Sequence, residues 1–187
     1  MSTATGKNKL FQQFTAVDLV TLAVFAAMYR ALWYGWHALN FLFPFNQVLN
    51  DFFMVLLGIT AVMVVRKFGA ATLFVIAGQL INLFIQGEMP VVALMFVLWG
   101  VIADVYFYFR IKSNANPFNN LRDVLIAGFL MALMWSITNW GIAFPFLFLI
   151  ELPVMTYLIV GIATTVSGFI GGWLGYGLGN KLKGLIE

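Results

Sequence analysis

Long apolar runs separated by short polar breaks dominate the chain. Six of them predict helices: Val17 to Ala38, Asn46 to Val65, Ala70 to Gln86, Pro90 to Phe109, Arg122 to Ala143 and Pro153 to Asn180. These lengths approach or exceed the ~20 residues with which a helix crosses a hydrocarbon layer about 30 Å thick, and the third is the shortest. The breaks have physical causes. Pro44 and the asparagines around it end the first run, Phe68-Gly69 and Gly87 to Pro90 make turns, and Pro145 and Pro153 bracket a short apolar segment.

Composition turns these helices into membrane crossings. With 63% hydrophobic and 9% charged residues among 187, the chain has too little polar surface to cover a soluble globule of its size. The predicted fold is an all-α membrane protein, a single transmembrane domain over 1–187. Residues 1–16 form a tail, and 111–121, with the stretch SNANPFNN, form a linker between the fourth and fifth helices. The segment Met1 to Gln13 lacks a small-residue cleavage site followed by a mature domain, and reads as a cytoplasmic tail and not a signal peptide. No cysteine is present, which excludes disulfides and thiolate metal sites, and no cofactor is expected. No Walker-type glycine loop occurs either, so ATP-driven activity requires another subunit.

The charges add orientation. Lys7, Lys9, Arg66, Lys67, Arg110, Lys112, Arg122, Lys181 and Lys183 all fall on the tails, the second-to-third turn or the fourth-to-fifth linker. The other three connections carry no Lys or Arg and contain Glu88 and Glu151. Because basic residues at span ends stay on the cytoplasmic side, this pattern predicts six transmembrane helices with both termini inside. The net charge of +3 raises nucleic acid as a partner, but basic pairs at the edges of apolar runs are a topology signal, and nucleic acid is set aside.

Arg30 alone among the basic residues lies inside a span, where a charge is costly unless paired or hydrated. Asp51 lies at a similar depth on the antiparallel second helix, so an Arg30/Asp51 ion pair is expected, with Glu88 or Glu151 as substitute partners. Such a pair either pins two helices together or marks a cavity that binds an anionic or carbonyl-bearing solute. Around it, aromatic and amide side chains crowd the outer helix ends: Trp33, Tyr34, Trp36, His37, Asn40, Asn46, Gln47 and Asn50 near the first turn, and Trp135, Asn139 and Trp140 near the fifth helix end. Part of this is the aromatic belt at headgroup level. Gln79, Asn82 and Gln86 are harder to place in lipid; spaced three and four apart, they share one helical face, where they line a polar cavity or hold helices together. The candidate substrate-binding set is therefore Arg30, Trp33, Tyr34, His37, Asn50, Asp51, Gln79, Asn82, Gln86, Glu88, Trp135, Asn139 and Glu151. Convergent polar groups among rings suit a flat heteroaromatic solute.

Small residues mark two helices. Ala16, Ala23, Ala27, Ala31 and Ala38 share a face of the first, and Gly161, Gly168, Gly172, Gly175 and Gly179 recur in the last. Each stripe reads as internal packing or as a docking face for a partner subunit. Asp104, near the inner end of the fourth span, reads as a cation or proton site or, more simply, as the partner of a nearby basic side chain. His37 with Ser167 offers a serine-protease pairing, but the two belong to different depths and no glycine stands two residues before Ser167.

The first span, TLAVFAAMYRALW, with Ala23 and Ala27 four apart, resembles the opening helix of the S components of energy-coupling factor (ECF) transporters. The last helix, GFIGGWLGYGLGNKL, is similar to their closing helix. The segment RKFGAATLFVIAGQLINLFIQGEMP, Arg66 to Pro90, is similar to the branch associated with thiamine and its hydroxymethylpyrimidine precursor. The resemblance implies a six-helix subunit without ATPase activity that captures a vitamin or precursor at the extracytoplasmic side. It also implies docking through Ala23, Ala27 and Ala31 onto a transmembrane coupling subunit driven by two cytoplasmic ATPases. The pocket is expected among the first, third, fifth and sixth helices. The competing classes are a self-sufficient secondary carrier or channel, for which the one candidate helix break is Phe144 to Pro153, and a membrane enzyme, disfavoured by a single histidine and few intramembrane acids.

Overall fold

Thr15 starts the first helix by a reciprocal cap. Its hydroxyl accepts from the Asp18 N–H at 3.2 Å, and the Asp18 carboxylate accepts from the Thr15 N–H at 2.7 Å. From there the computed structural model, which describes residues 13–38, 46–87, 89–113 and 115–186, is built of helices and turns with no strand among those residues. For His37, Gln86 and Ile186 the backbone alone is described, and Glu88 lies outside the described residues.

The helices are α1 (Ala16–His37), α2 (Asn46–Val65), α3 (Ala70–Gln86), α4 (Pro90–Lys112), α5 (Leu121–Ser136) and α6 (Val154–Ile186). They follow the apolar runs closely, with three differences. First, α4 continues to Lys112, because Arg110 is held by Asp123 across the linker at 2.9 and 3.0 Å. The Tyr106 hydroxyl donates to the same carboxylate at 2.8 Å. Second, the fifth run does not stay α-helical to Ala143: beyond Ser136 it becomes a π-helical stretch, Ile137–Leu147, containing Pro145. Proline has no N–H to give to the preceding turn, and a wider register is one way for a helix to absorb that loss. Third, α6 runs on to Ile186, since nothing in its glycine- and lysine-rich end breaks a helix outright. The linker is also less exposed than its polarity implies. Phe118, in a 3₁₀ turn at Pro117–Asn119, is fully buried with its ring 5.0 Å from that of Phe107.

α2 sits at the centre. It packs against α1, α3, α5 and α6, while α1, α3, α4, α5 and α6 follow one another around it. Two-thirds of the α2 apolar window is buried, against about a fifth for α1 and α6. The outward surface is apolar: Phe84 is 87% exposed and Leu94 71%. Such a surface is at home in lipid and not in water. Among the described residues five helices are long and apolar enough to cross a membrane, with α5 and its π-helical continuation counted as one. The shorter α3, of 17 residues, is apolar but falls below that length. The fold is thus all-helical and compatible with a multi-pass membrane protein.

One end of the bundle gathers the basic residues. Lys67 bridges to Asp18 and donates to the Gln13 carbonyl, joining the α2–α3 turn to the start of α1. Arg66, in a left-handed conformation at φ 50°, donates to Met63 O, Asn119 Oδ1 and Asn180 Oδ1. That one side chain ties the same turn to the linker and to α6. A non-glycine residue in this region is disfavoured, and the hydrogen bonds hold it there.

The two small-residue stripes have different fates. From Gly168 to Gly179 the α6 glycines Gly168, Gly171, Gly172, Gly175 and Gly179 are consumed internally, whereas Gly161 and Gly177 are not: a Cβ on Gly171 would lie 2.5 Å from Phe52 O, and one on Gly175 2.7 Å from Leu56 O, so α6 lies directly on α2. Ala23, Ala27 and Ala31 on α1 are exposed, and no helix among the described residues covers them.

Candidate functional site

Between α1, α2, α3 and α4 lies a small enclosed cavity whose walls include Tyr29, Arg30, Phe74, Gly78, Gln79 and Trp99. Arg30 stands 14 residues into α1, about 21 Å from its first residue at 1.5 Å per residue, well away from the basic end. It is 3% exposed. Its Nε donates to Gly78 O at 2.9 Å, and its guanidinium lies 4.9 Å from the Tyr29 ring centre and 5.7 Å from that of Trp33. The missing side chain at Gly78 permits this approach, for a Cβ there would meet Nε at 3.4 Å. Ring faces attract a guanidinium but do not neutralise it.

The expected Arg30/Asp51 ion pair does not form, and no carboxylate among the described residues takes its place. The reason is rotational. Similar depth placed the two together, but Arg30 faces α3, whereas the Asp51 carboxyl is turned toward Trp135 on α5 and Thr164 on α6. Asp51 is fully buried, and neither of its oxygens has a hydrogen bond of ordinary geometry.

Gln79 follows Gly78 into the cavity wall. It is 3% exposed, and both Oε1 and Nε2 lack a partner. Leaving a buried amide unmet costs roughly 1–3 kcal/mol, so such a group calls for an explanation. One turn further, Asn82 is buried and accepts from the Tyr34 hydroxyl at 3.3 Å, tying α1 to α3. Beside the cavity three rings cluster edge-on or tilted: Trp99 lies 3.9 Å edge-on from Trp135, and Phe96 is 4.6 Å from Trp99 and 5.1 Å from Trp135. The Trp99 indole is fixed by donating Nε1–H to Thr138 Oγ1 at 2.9 Å, while Trp135 Nε1 has no such bond.

Of the residues singled out in the sequence, Arg30 and Gln79 line the cavity, with Trp33, Tyr34, Asn82 and Trp135 in the shell around it. Asn50, whose amide donates to Gln47 Oε1 at 3.5 Å, and Asp51 and Asn139 are buried without lining it. Glu151 is exposed in the segment before α6 and is not brought to the cavity. The side chains of His37 and Gln86, and all of Glu88, lie outside the described residues. The cavity walls come from the first four helices, not from the first, third, fifth and sixth. Tyr29, Phe74 and Trp99 were missed. Trp99 carried a signal, since a tryptophan nine residues into a span is too deep for the interfacial belt.

Two further residues find structural roles. Asp104 pairs with no basic side chain among the described residues: its Oδ2 accepts from the Thr72 N–H at 2.7 Å and the Thr72 hydroxyl at 2.6 Å. Ser167 gives its hydroxyl to the main-chain carbonyls of Val48 and Thr164. Compared with known proteins, the chain matches no family model, no curated protein and no solved structure.

Proposed function

We propose that this chain is the solute-capturing transmembrane subunit of an ECF-type uptake transporter for a vitamin or related micronutrient. In this reading it crosses the cell membrane six times with both termini in the cytoplasm. The observation that carries it is the placing of a buried guanidinium, Arg30, whose Nε donates to Gly78 O, beside Gln79, whose buried amide has neither atom met, in one aromatic-walled cavity remote from the basic end. A protein that holds unmet polar groups in an apolar interior gives up stability, and ligand recognition is the usual return.

The partners follow from what the chain lacks and leaves open. The chain carries no Walker-type loop, and the resemblance to S components implies that energy comes from a transmembrane coupling subunit and two cytoplasmic ATPases. Ala23, Ala27 and Ala31, exposed on the least buried flank, form the docking face, where small side chains let a partner helix approach closely. The convergence of Arg66, Lys67, Asn119 and Asn180 at one end fits a shared cytoplasmic side.

Purified in detergent, the protein is expected to retain a small molecule that native mass spectrometry detects. Ala27→Leu is expected to abolish co-purification with the coupling complex while solute retention and melting temperature stay unchanged. Normal assembly of that variant removes the docking role, and a protein that retains nothing and transports unaided in liposomes is a carrier. The π-helical stretch at Ile137–Leu147 favours this second reading, because broken helices are where self-sufficient carriers place their sites.

A further inference from the structure

Resting on the solute-binding reading, we infer that this cavity recognises the carbonyl-bearing edge of a flat, neutral or anionic heterocycle and discriminates against cations. Arg30 sets the charge. A guanidinium stays protonated in proteins and offers five N–H donors, of which one is used, on Gly78 O. The cavity lining contains no acidic side chain. Asp51, three residues before the lining residue Met54 on α2, is directed to Trp135 and Thr164 instead. Among the described residues no carboxylate opposes the positive charge that a solute entering this space meets. At ~5 Å and an effective dielectric constant near 20, a like charge is disfavoured by about 100-fold or more, and an acceptor is favoured.

Gln79 sets the shape of the hydrogen-bonding edge. Its free amide presents an acceptor beside donors in one plane, and the complement of that pattern is a donor beside an acceptor, the –NH–C=O edge of a pyrimidinone, an imide or a carboxamide. Gln side chains read adenine edges by the same two-point geometry. Tyr29, Phe74 and Trp99 supply the ring faces that select a planar solute. The space between them is about 10 Å³, room for one water and not for a ring, so binding in this inference requires the fully buried Met54, a flexible thioether chain in the wall, to be displaced. Thiamine, whose thiazolium is a permanent cation, is a poor fit to this wall, whereas a neutral or anionic pyrimidine suits it.

The test is tryptophan-fluorescence titration of the purified full chain with uracil, orotate and thiamine, beside native mass spectrometry of the protein as isolated. Uracil or orotate is expected to bind at least about 100-fold more tightly than thiamine. Gln79→Leu is expected to weaken the bound pyrimidinone tenfold or more while the melting temperature holds or rises, since the change removes an unmet amide from the interior. Gln79→Glu, which places a negative charge beside Arg30, is expected to weaken orotate and strengthen thiamine. The inference is overturned if thiamine binds as well as orotate, if Gln79→Leu leaves affinity unchanged, or if no pyrimidinone binds. In each case a retained cationic solute, or one without such an edge, leaves the solute-binding reading standing. A protein that retains nothing and binds none of the three overturns both.

Discussion

Alanine at Gly100 is expected to destabilise the protein by about 3 kcal/mol or more, among the largest effects available to a single methyl group. A Cβ at Gly100 would lie 2.6 Å from Ala71 O, 2.6 Å from Thr72 Cα and 2.7 Å from Thr72 N. All three are main-chain atoms in the first turn of α3, so no side-chain rotation relieves the overlap; α3 and α4 must separate. Gly171→Ala and Gly175→Ala are expected to act in the same way at the α2–α6 contact, each against a carbonyl oxygen of α2. The controls are Gly161 and Gly177, helical glycines with nothing within 4 Å of an added Cβ. Alanine there is expected to leave stability level or raise it by up to about 1 kcal/mol, through the ordinary helix preference for alanine. Thermal melting and size-exclusion profiles in one detergent compare the five variants directly. Equal melting of Gly100→Ala and Gly177→Ala would falsify the close-packing account.

These glycines show where the sequence was readable. Helix positions followed from the apolar runs, because a run bounded by Pro or Gly leaves few alternatives. α2 and α3 begin and end at the expected residues. Glycine spacing along the last helix marked a close-packed face, but spacing does not say which helix fills it; only the structure assigns α2 and α5 to Gly168 and α2 to Gly171 and Gly175. The site was less legible for the same reason. Depth along a helix can be counted, and Arg30, Gln79 and Asp51 were found by counting. The direction a side chain faces depends on how each helix is rotated about its axis, which pattern alone leaves open when apolar residues surround a helix on all sides. That freedom accounts for the missing Arg30/Asp51 pair. It also accounts for the placing of the cavity among α1 to α4.

Asp104 is the clearest instance, and its replacement carries the second large effect. Gly69, which precedes α3, has no side chain to cap the helix, and its own conformation is left-handed at φ 92°. The first N–H groups of α3 therefore need a partner from elsewhere. Asp104, one turn beyond Gly100 on α4, supplies it: Oδ2 accepts both the Thr72 N–H and the Thr72 hydroxyl, and the carboxyl group also stands near the main-chain amides of Ala71 and Gly69. A carboxylate at a helix N-terminus is favoured by the helix dipole as well. Asp104→Leu, which keeps the branching but is bulkier and removes both acceptors, is expected to cost about 2–3 kcal/mol, and the isosteric Asp104→Asn, which keeps one acceptor, about 1 kcal/mol. Hydrogen exchange is expected to quicken first at residues 70–74. Because α3 also carries Gly78 and Gln79, loosening its start is expected to weaken the Arg30 contact to Gly78 O, about 12 Å away along the helix at 1.5 Å per residue over eight residues. Unchanged exchange in that turn for Asp104→Leu would show that α3 is anchored by Gly100 packing alone.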